Sequence, residues 1–246
     1  MLRNLFGTHD PDELNDLEYA ATALRLDELR AGEVDIARTG DAAEWREIHR
    51  HIFQDVFEWA GQYRNVEIDK SGERFLNSTA MDSYLHYALR ETREIDWSGL
   101  DRTQFVDAAA ATYMKLNFAH PFREGNGRSS RAFLDRLTGE ARFECDYSRV
   151  EAAVWNEASR ATMHLDYKMP TGHSPLVPVF DAITVDRAEQ ATVERDDDPQ
   201  LAADIARVQA ALRAQSPRSA RSGSAPEVPS IEVTPPMPQR DTGYEL

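Results

Sequence analysis

Cysteine is almost missing from this chain. Cys145 is the single one in 246 residues, so neither a disulfide framework nor a cysteine-based metal site is available. Long apolar runs are missing too: nothing approaches the ~20 consecutive residues that cross a bilayer. The opening MLRNLFGTHDPDEL turns acidic and helical too early for a secretory signal. Basic charge is in deficit, with 28 Lys and Arg against 43 Asp and Glu and a net charge of −15. That balance argues against a general grip on nucleic acid or anionic lipid. Histidines at metal-binding spacing are absent as well. His49 and His51 lie two apart on a helix and cannot share a face, while His9, His86, His164 and His173 have no spaced partners. A cytoplasmic, soluble protein is expected, and its 41% hydrophobic content allows a sizeable core.

Composition divides the chain. Of the 22 aromatic side chains, Tyr244 alone lies beyond Asp181. Residues 1–44 read as an N-terminal helical segment, 45–181 as the main folded body and 182–214 as a polar helical extension. Residues 215–246, holding six of the 12 prolines, read as a disordered Pro/Ser-rich tail that cannot offset its ordering entropy. The fold class expected is mainly α. Asp10-Pro11-Asp12-Glu13 resembles a capped helix start, followed by Leu14, Leu17, Ala21 and Leu24 at helical spacing and a stop at Gly32. A second helix is predicted to carry Trp45, Ile48, Ile52, Val56 and Trp59. Others are predicted around 81–92, 103–119, from 126 onward, and around 150–165. One segment breaks the rhythm: Tyr63-Arg64-Asn65-Val66-Glu67-Ile68 alternates, Asp69-Lys70-Ser71-Gly72 supplies turn chemistry, and Arg74-Phe75-Leu76 follows. It reads as a short β-hairpin, marginal by itself.

The informative run is His120-Pro121-Phe122-Arg123-Glu124-Gly125-Asn126-Gly127-Arg128-Ser129-Ser130-Arg131. Two glycines around an asparagine let backbone amides form an anion-binding nest. The helix that follows adds its N-terminal amides and dipole to the same anion. Arg128 and Arg131, three apart, share a face there and add charge-assisted bonds to phosphate oxygens. Glu124 is placed to hold Mg²⁺ against a polyphosphate, and His120 to take a proton at neutral pH. Singly, each feature has an ordinary explanation: a common turn, a solvated arginine face, a packed histidine. Together they form the parts list of nucleotide-dependent transfer.

The run is similar to the signature of the Fic family (filamentation induced by cAMP), H-x-F-x-[D/E]-G-N-G-R-x-x-R, at His120, Phe122, Glu124, Gly125, Asn126, Gly127, Arg128 and Arg131. Segment 63–76 resembles the family's flap, and Glu58-Trp59-Ala60-Gly61 its lead-in. The resemblance implies a Fic-type helical bundle with a hairpin flap over the active site, with residues 45–181 as its catalytic core. It also implies a Mg²⁺-dependent protein adenylyltransferase that uses ATP as co-substrate and releases pyrophosphate. On that reading His120 deprotonates a target hydroxyl, Glu124 holds Mg²⁺, and Gly125, Asn126 and Gly127 cradle phosphates. Arg128 and Arg131 contact the β- and γ-phosphates, with Arg123 and Ser129 in the same nucleotide-binding set. Lys70 and Ser71 touch the nucleotide from the flap tip, and Phe122 anchors the loop. Glycine at 127, where a kinase-like branch has lysine, favours AMP transfer; phosphocholine transfer stays open.

The family's inhibitory motif, [S/T]-x-x-x-E-[G/N], is not found: only Glu124 is followed by Gly or Asn, and four residues before it stands His120. The resemblance then implies a toxin whose inhibitory helix comes from a separate small antitoxin. It also implies a target protein bound along the flap, in bacterial toxins of this type a type II topoisomerase subunit. A secreted effector acting on host proteins and a non-catalytic interaction module are the alternatives.

Overall fold

The computed structural model describes residues 2–70, 73–163 and 172–190. Helix α1 (Pro11–Ala31) starts where the Asp10 carboxylate accepts from the amides of Asp12 and Glu13, and it stops at Gly32 in the left-handed conformation. Glu13 does not complete a capping box with Asp10; its carboxylate takes the Thr8 hydroxyl, and Thr8 accepts from the Asp10 amide.

Helix α2 (Ala42–Phe53), capped by Asp41, buries Trp45, Ile48, His49, Ile52 and Phe53. The apolar period that runs on to Val56 and Trp59 is not helical. The amides of Val56 and Phe57 both bond to Phe53 O at 3.0 Å, so Val56 is buried from a turn. Helices α3 (Met81–Arg93), α4 (Arg102–Ala119), α5 (Asn126–Leu137) and α6 (Ala152–Ala161) follow. A capping box between Asp101 and Gln104 starts α4.

Helices α4 and α5 lie between two apolar cores. One gathers α1, α2 and α3 around Trp45, Phe53, Leu116, Phe122 and Phe133. The other gathers α6 and α7 (Val177–Ile183) around Phe105, Tyr113, Leu134, Trp155 and Phe180. Each fully buried large side chain contributes about 1.5–3 kcal/mol, so the α4–α5 junction is held from both sides. A buried carboxylate ties α2 to α5: Glu44 accepts from Arg136 Nε at 2.6 Å and from the Gly40 amide at 2.7 Å. Those added hydrogen bonds are what a buried ion pair requires.

The expected hairpin is narrower than its alternating pattern. Only β1 (Asp69–Lys70) and β2 (Glu73–Arg74) pair, antiparallel. Residues 63–68 do not join a strand ladder because the base of this segment bonds elsewhere. The Arg64 amide donates to Pro121 O at 2.8 Å and the Leu76 amide to Phe118 O at 3.0 Å. A second antiparallel pair, which the sequence pattern does not signal, joins β3 (Phe143–Cys145) to β4 (Thr184–Asp186), and α8 (Arg187–Gln190) follows. The packed fold therefore continues past Asp181, with Ile183, Thr184 and Val185 all buried. Residues 191–246, which include most of the expected polar extension and all of the expected tail, lie outside the described residues. Among the described residues no helix is long and apolar enough to cross a membrane.

Candidate active site

Helix α4 ends at His120, which adopts φ 41° and ψ 58°, the only positive φ at a non-glycine position among the described residues. That conformation costs about 1–2 kcal/mol. It reverses the chain and lays the imidazole against Phe75, with ring centroids 3.7 Å apart and planes 18° from parallel. Both rings line a cavity of about 660 Å³.

The loop from 121 to 125 is clamped from inside. Phe122 is fully buried, stacked on His49 at 3.8 Å and edge-on to Trp45 at 5.6 Å. The Asn126 side chain closes the turn in both directions: Nδ2 donates to Phe122 O at 2.7 Å, and Oδ1 accepts from the Phe122 amide at 2.8 Å. Gly125 has φ 78°, and a Cβ there would come within 2.1 Å of the Phe53 ring; only glycine fits. A Cβ on Gly127 would meet nothing within 4 Å. Helix α5 begins with no side-chain cap, which leaves its first amides and positive dipole end available to an anion.

The cavity brings together His120, Arg123, Glu124, Gly125, Asn126, Gly127, Arg128 and Arg131. The two motif arginines are held differently. Arg128 ion-pairs with Glu18 of α1, donates to Thr22 Oγ1 at 3.0 Å, and lies 4.8 Å from the Phe53 ring centroid. Arg131 lies near two aromatic rings, 5.5 Å from Tyr147 and 5.9 Å from Trp155, distances typical of cation–π contact. Tyr147 in turn donates to Asp135 at 2.8 Å. Burial pushes the Asp135 carboxyl up to about 6, although the Tyr147 hydrogen bond opposes the shift.

Ser129, expected in the binding set, is not among the residues that line the cavity. It is fully buried, its hydroxyl accepts from Trp45 Nε1 and donates to Asn126 O, both at 3.3 Å, and its amide bonds to Gly125 O. Its neighbour Ser130 lines the cavity instead. Lys70 lies in β1, and Ser71 lies outside the described residues. Beyond the 121–125 loop, Tyr113, Trp155 and Asn156 extend the cavity wall, with Trp155 Nε1 donating to Tyr113 Oη at 2.9 Å. Trp155 thus both packs the second core and faces the cavity; its helical spacing signals only the packing.

His49 carries no sequence signal of a role at the site. Its Nδ1 accepts from the Gly61 amide at 2.9 Å, so Nε2 carries the proton and donates to Glu124 O at 3.0 Å. Burial drives its pKa down to about 4, which keeps the ring neutral. The peptide of Glu124 is thereby fixed, and Glu124 Oε1 accepts from the Gly125 amide at 2.9 Å. Among the described residues no group of three or more Asp, Glu, His or Cys side chains gathers as a metal cage. An exposed carboxylate beside an anion cradle is the donor set for a Mg²⁺ shared with phosphate oxygens, and Glu124 fits it.

Residues 40–138 match the Fic/DOC family model. The chain is 37% identical over 160 residues to "Protein adenylyltransferase VbhT" from Bartonella schoenbuchensis, covering 65% of this chain and 33% of that protein. It is 35% identical over 156 residues to "Probable protein adenylyltransferase y4lH" from Sinorhizobium fredii, covering 61% of this chain and 77% of that one. Among solved structures, the N-terminal Fic domain of a VirB-translocated Bep effector protein from Bartonella quintana, with bound ADP, superposes with a TM-score of 0.66 at 25% identity. That match covers 78% of this chain and 94% of that one. BepC from Bartonella tribocorum, with bound AMPPNP, has the same fold at 24% identity and a TM-score of 0.66, over 76% and 93% of the two chains. The chain belongs to the Fic/DOC family.

Proposed function

We propose that this chain is a protein adenylyltransferase that moves AMP from ATP onto a hydroxyl side chain of a target protein. The observation that supports it most is one cavity lined by His120, Glu124, the uncapped start of α5 and both motif arginines. Relatives at 35–37% identity carry that activity in their names, and a related Fic domain holds ADP.

In the step envisaged, His120 accepts the proton of the target hydroxyl. The freed oxygen attacks the α-phosphorus, the bond to the bridging oxygen breaks, and pyrophosphate leaves. The first amides of α5 bind the phosphates and stabilise charge as it develops. Arg131 meets the γ-phosphate and Arg128 the β-phosphate, which competes with Glu18 for the Arg128 guanidinium. Glu124 would hold Mg²⁺, which when bound neutralises phosphate charge. Tyr113, Trp155 and Asn156 provide the aromatic and polar wall for the nucleoside.

Control by a separate antitoxin extends this reading. Its support is that Arg131 has aromatic partners but no ion pair among the described residues, so an incoming glutamate would find its donors available. The test is mass spectrometry of peptides from a lysate, and from purified type II topoisomerase subunits, after incubation with the protein and ATP. AMP on Tyr, Ser or Thr is expected. A phosphate-sized addition would contradict AMP transfer.

A further inference from the structure

Arg64 lies outside the 120–131 run, yet it is buried to 2% exposure against the backbone of the proposed proton acceptor. All five guanidinium N–H groups have an acceptor. Nε donates to His120 O at 2.8 Å; Nη1 donates to Val66 O at 2.9 Å and Glu67 Oε2 at 3.4 Å; Nη2 donates to Leu76 O and to Ala119 O at 3.5 Å. Two of these acceptors are terminal carbonyls of α4, which have no partner inside the helix and favour a cation. Two others, Val66 O and Leu76 O, belong to the two legs of the flap. One planar fork therefore joins both legs to the turn that sets the His120 ring.

Among the described residues, few other bonds hold the flap. Its strands are two residues each, too short to be stable as an isolated ribbon. Outside Arg64, its base is tied by the Leu76 amide to Phe118 O and by Glu67, whose Oε1 accepts from the Ser78 amide at 2.9 Å and hydroxyl at 2.6 Å. Phe75, on the second leg, stacks on His120.

We propose that Arg64 is a positioning residue for adenylyl transfer. It locks the flap to the His120 peptide, so that a target backbone lying along the flap and the imidazole that takes its proton keep one relative geometry. The inference rests on the adenylyltransferase reading of the cavity. Lysine cannot replace this fork, because its three donors radiate from one nitrogen.

The test uses the full chain with Arg64→Lys and, at the exposed edge of the same joint, Glu67→Ala. Three quantities are read: affinity for a non-hydrolysable ATP analogue, protein-bound label from α-³²P-ATP in a lysate, and hydrogen exchange at single amides. Wild type is labelled first, and no label there sinks the adenylyltransferase reading before Arg64 is judged. For Arg64→Lys, analogue affinity should stay within about 3-fold, and labelling should fall about 100-fold, the scale of a 1 Å misplacement. Exchange at the Leu76 amide should accelerate at least about 10-fold, while amides inside α4 stay protected. Glu67→Ala should show the same pattern with roughly a 5-fold labelling loss. Labelling of Arg64→Lys at the wild-type rate overturns the proposal. So does a parallel loss of affinity and labelling, or faster exchange throughout α4; each is what a purely structural arginine gives. If Arg64→Lys does not fold, Glu67→Ala decides, and a wild-type labelling rate there overturns the proposal.

Discussion

His49 Nε2 donates to the carbonyl oxygen of Glu124 at 3.0 Å, across 75 residues of sequence, and so a neutral buried imidazole supports the peptide that carries the candidate metal ligand. Replacing His49 with Leu removes this bond and the one from the Gly61 amide, leaving the buried Gly61 N–H and the partly buried Glu124 carbonyl without this partner. A stability loss of about 2–5 kcal/mol is expected, read by urea unfolding. Nucleotide affinity should also fall when compared at equal folded fraction. Full affinity in the folded variant would show that the Glu124 peptide needs no support.

The same histidine and Asp135 act in opposite directions on acid stability. The folded pKa of His49 is depressed to about 4 from 6.5, so its neutral form favours folding and that contribution is lost as pH falls through this window. The folded pKa of Asp135 is raised to about 6 from 3.8, so the folded state holds the proton more tightly and stability falls as pH rises from ~4 to ~6. The two largely offset each other. Asp135→Asn, which keeps an acceptor for Tyr147, should raise stability near pH 7 by up to about 3 kcal/mol. It should also uncover a steeper decline toward pH 4. Urea midpoints across that range test the sign, and an unchanged profile would contradict it.

Two glycines two positions apart should respond oppositely. Gly125→Ala forces a Cβ into the Phe53 ring at a left-handed backbone position and is expected to cost at least about 3 kcal/mol. Gly127→Ala lies in the first turn of α5 with open space around it; it should be neutral or stabilise by up to about 1 kcal/mol. Thermal unfolding distinguishes them. Equal losses would mean that the Gly125 turn is not the constraint described.

Glu18 and Arg128 form an ion pair that is partly shielded from solvent, with side chains 14% and 24% exposed. Glu18→Gln keeps an acceptor but removes the negative charge that competes with phosphate for the guanidinium. Calorimetric titration with an ATP analogue should show tighter binding, by about 3- to 10-fold, with stability lowered by about 1 kcal/mol. Weaker binding would show that Glu18 orients Arg128 for the ligand.

Much of the site is legible in the amino-acid sequence because its signals are local. Asp10, Pro11 and Gly32 mark the ends of α1 through capping and left-handed backbone preference. The run from His120 to Arg131 encodes a helix end, a tight turn and an uncapped helix start in twelve adjacent residues. What stays hidden depends on distant partners. Arg64 reads as one residue of an alternating strand, but its acceptors lie 55 and 56 residues away on Ala119 and His120. Glu18 meets Arg128 across 110 residues, so no spacing rule connects them. Strands β3 and β4 are three residues each, too short for a period of two to register. Val56 and Trp59 continue the apolar rhythm of α2 because a turn also buries side chains, and periodicity alone cannot tell the two apart.

The most direct test of AMP transfer is labelling of a lysate with α-³²P-ATP and, in parallel, γ-³²P-ATP, using wild type beside His120→Ala. A protein band labelled only from the α position, and lost in His120→Ala, is the predicted result. A band labelled from the γ position, or one that survives in His120→Ala, would contradict it.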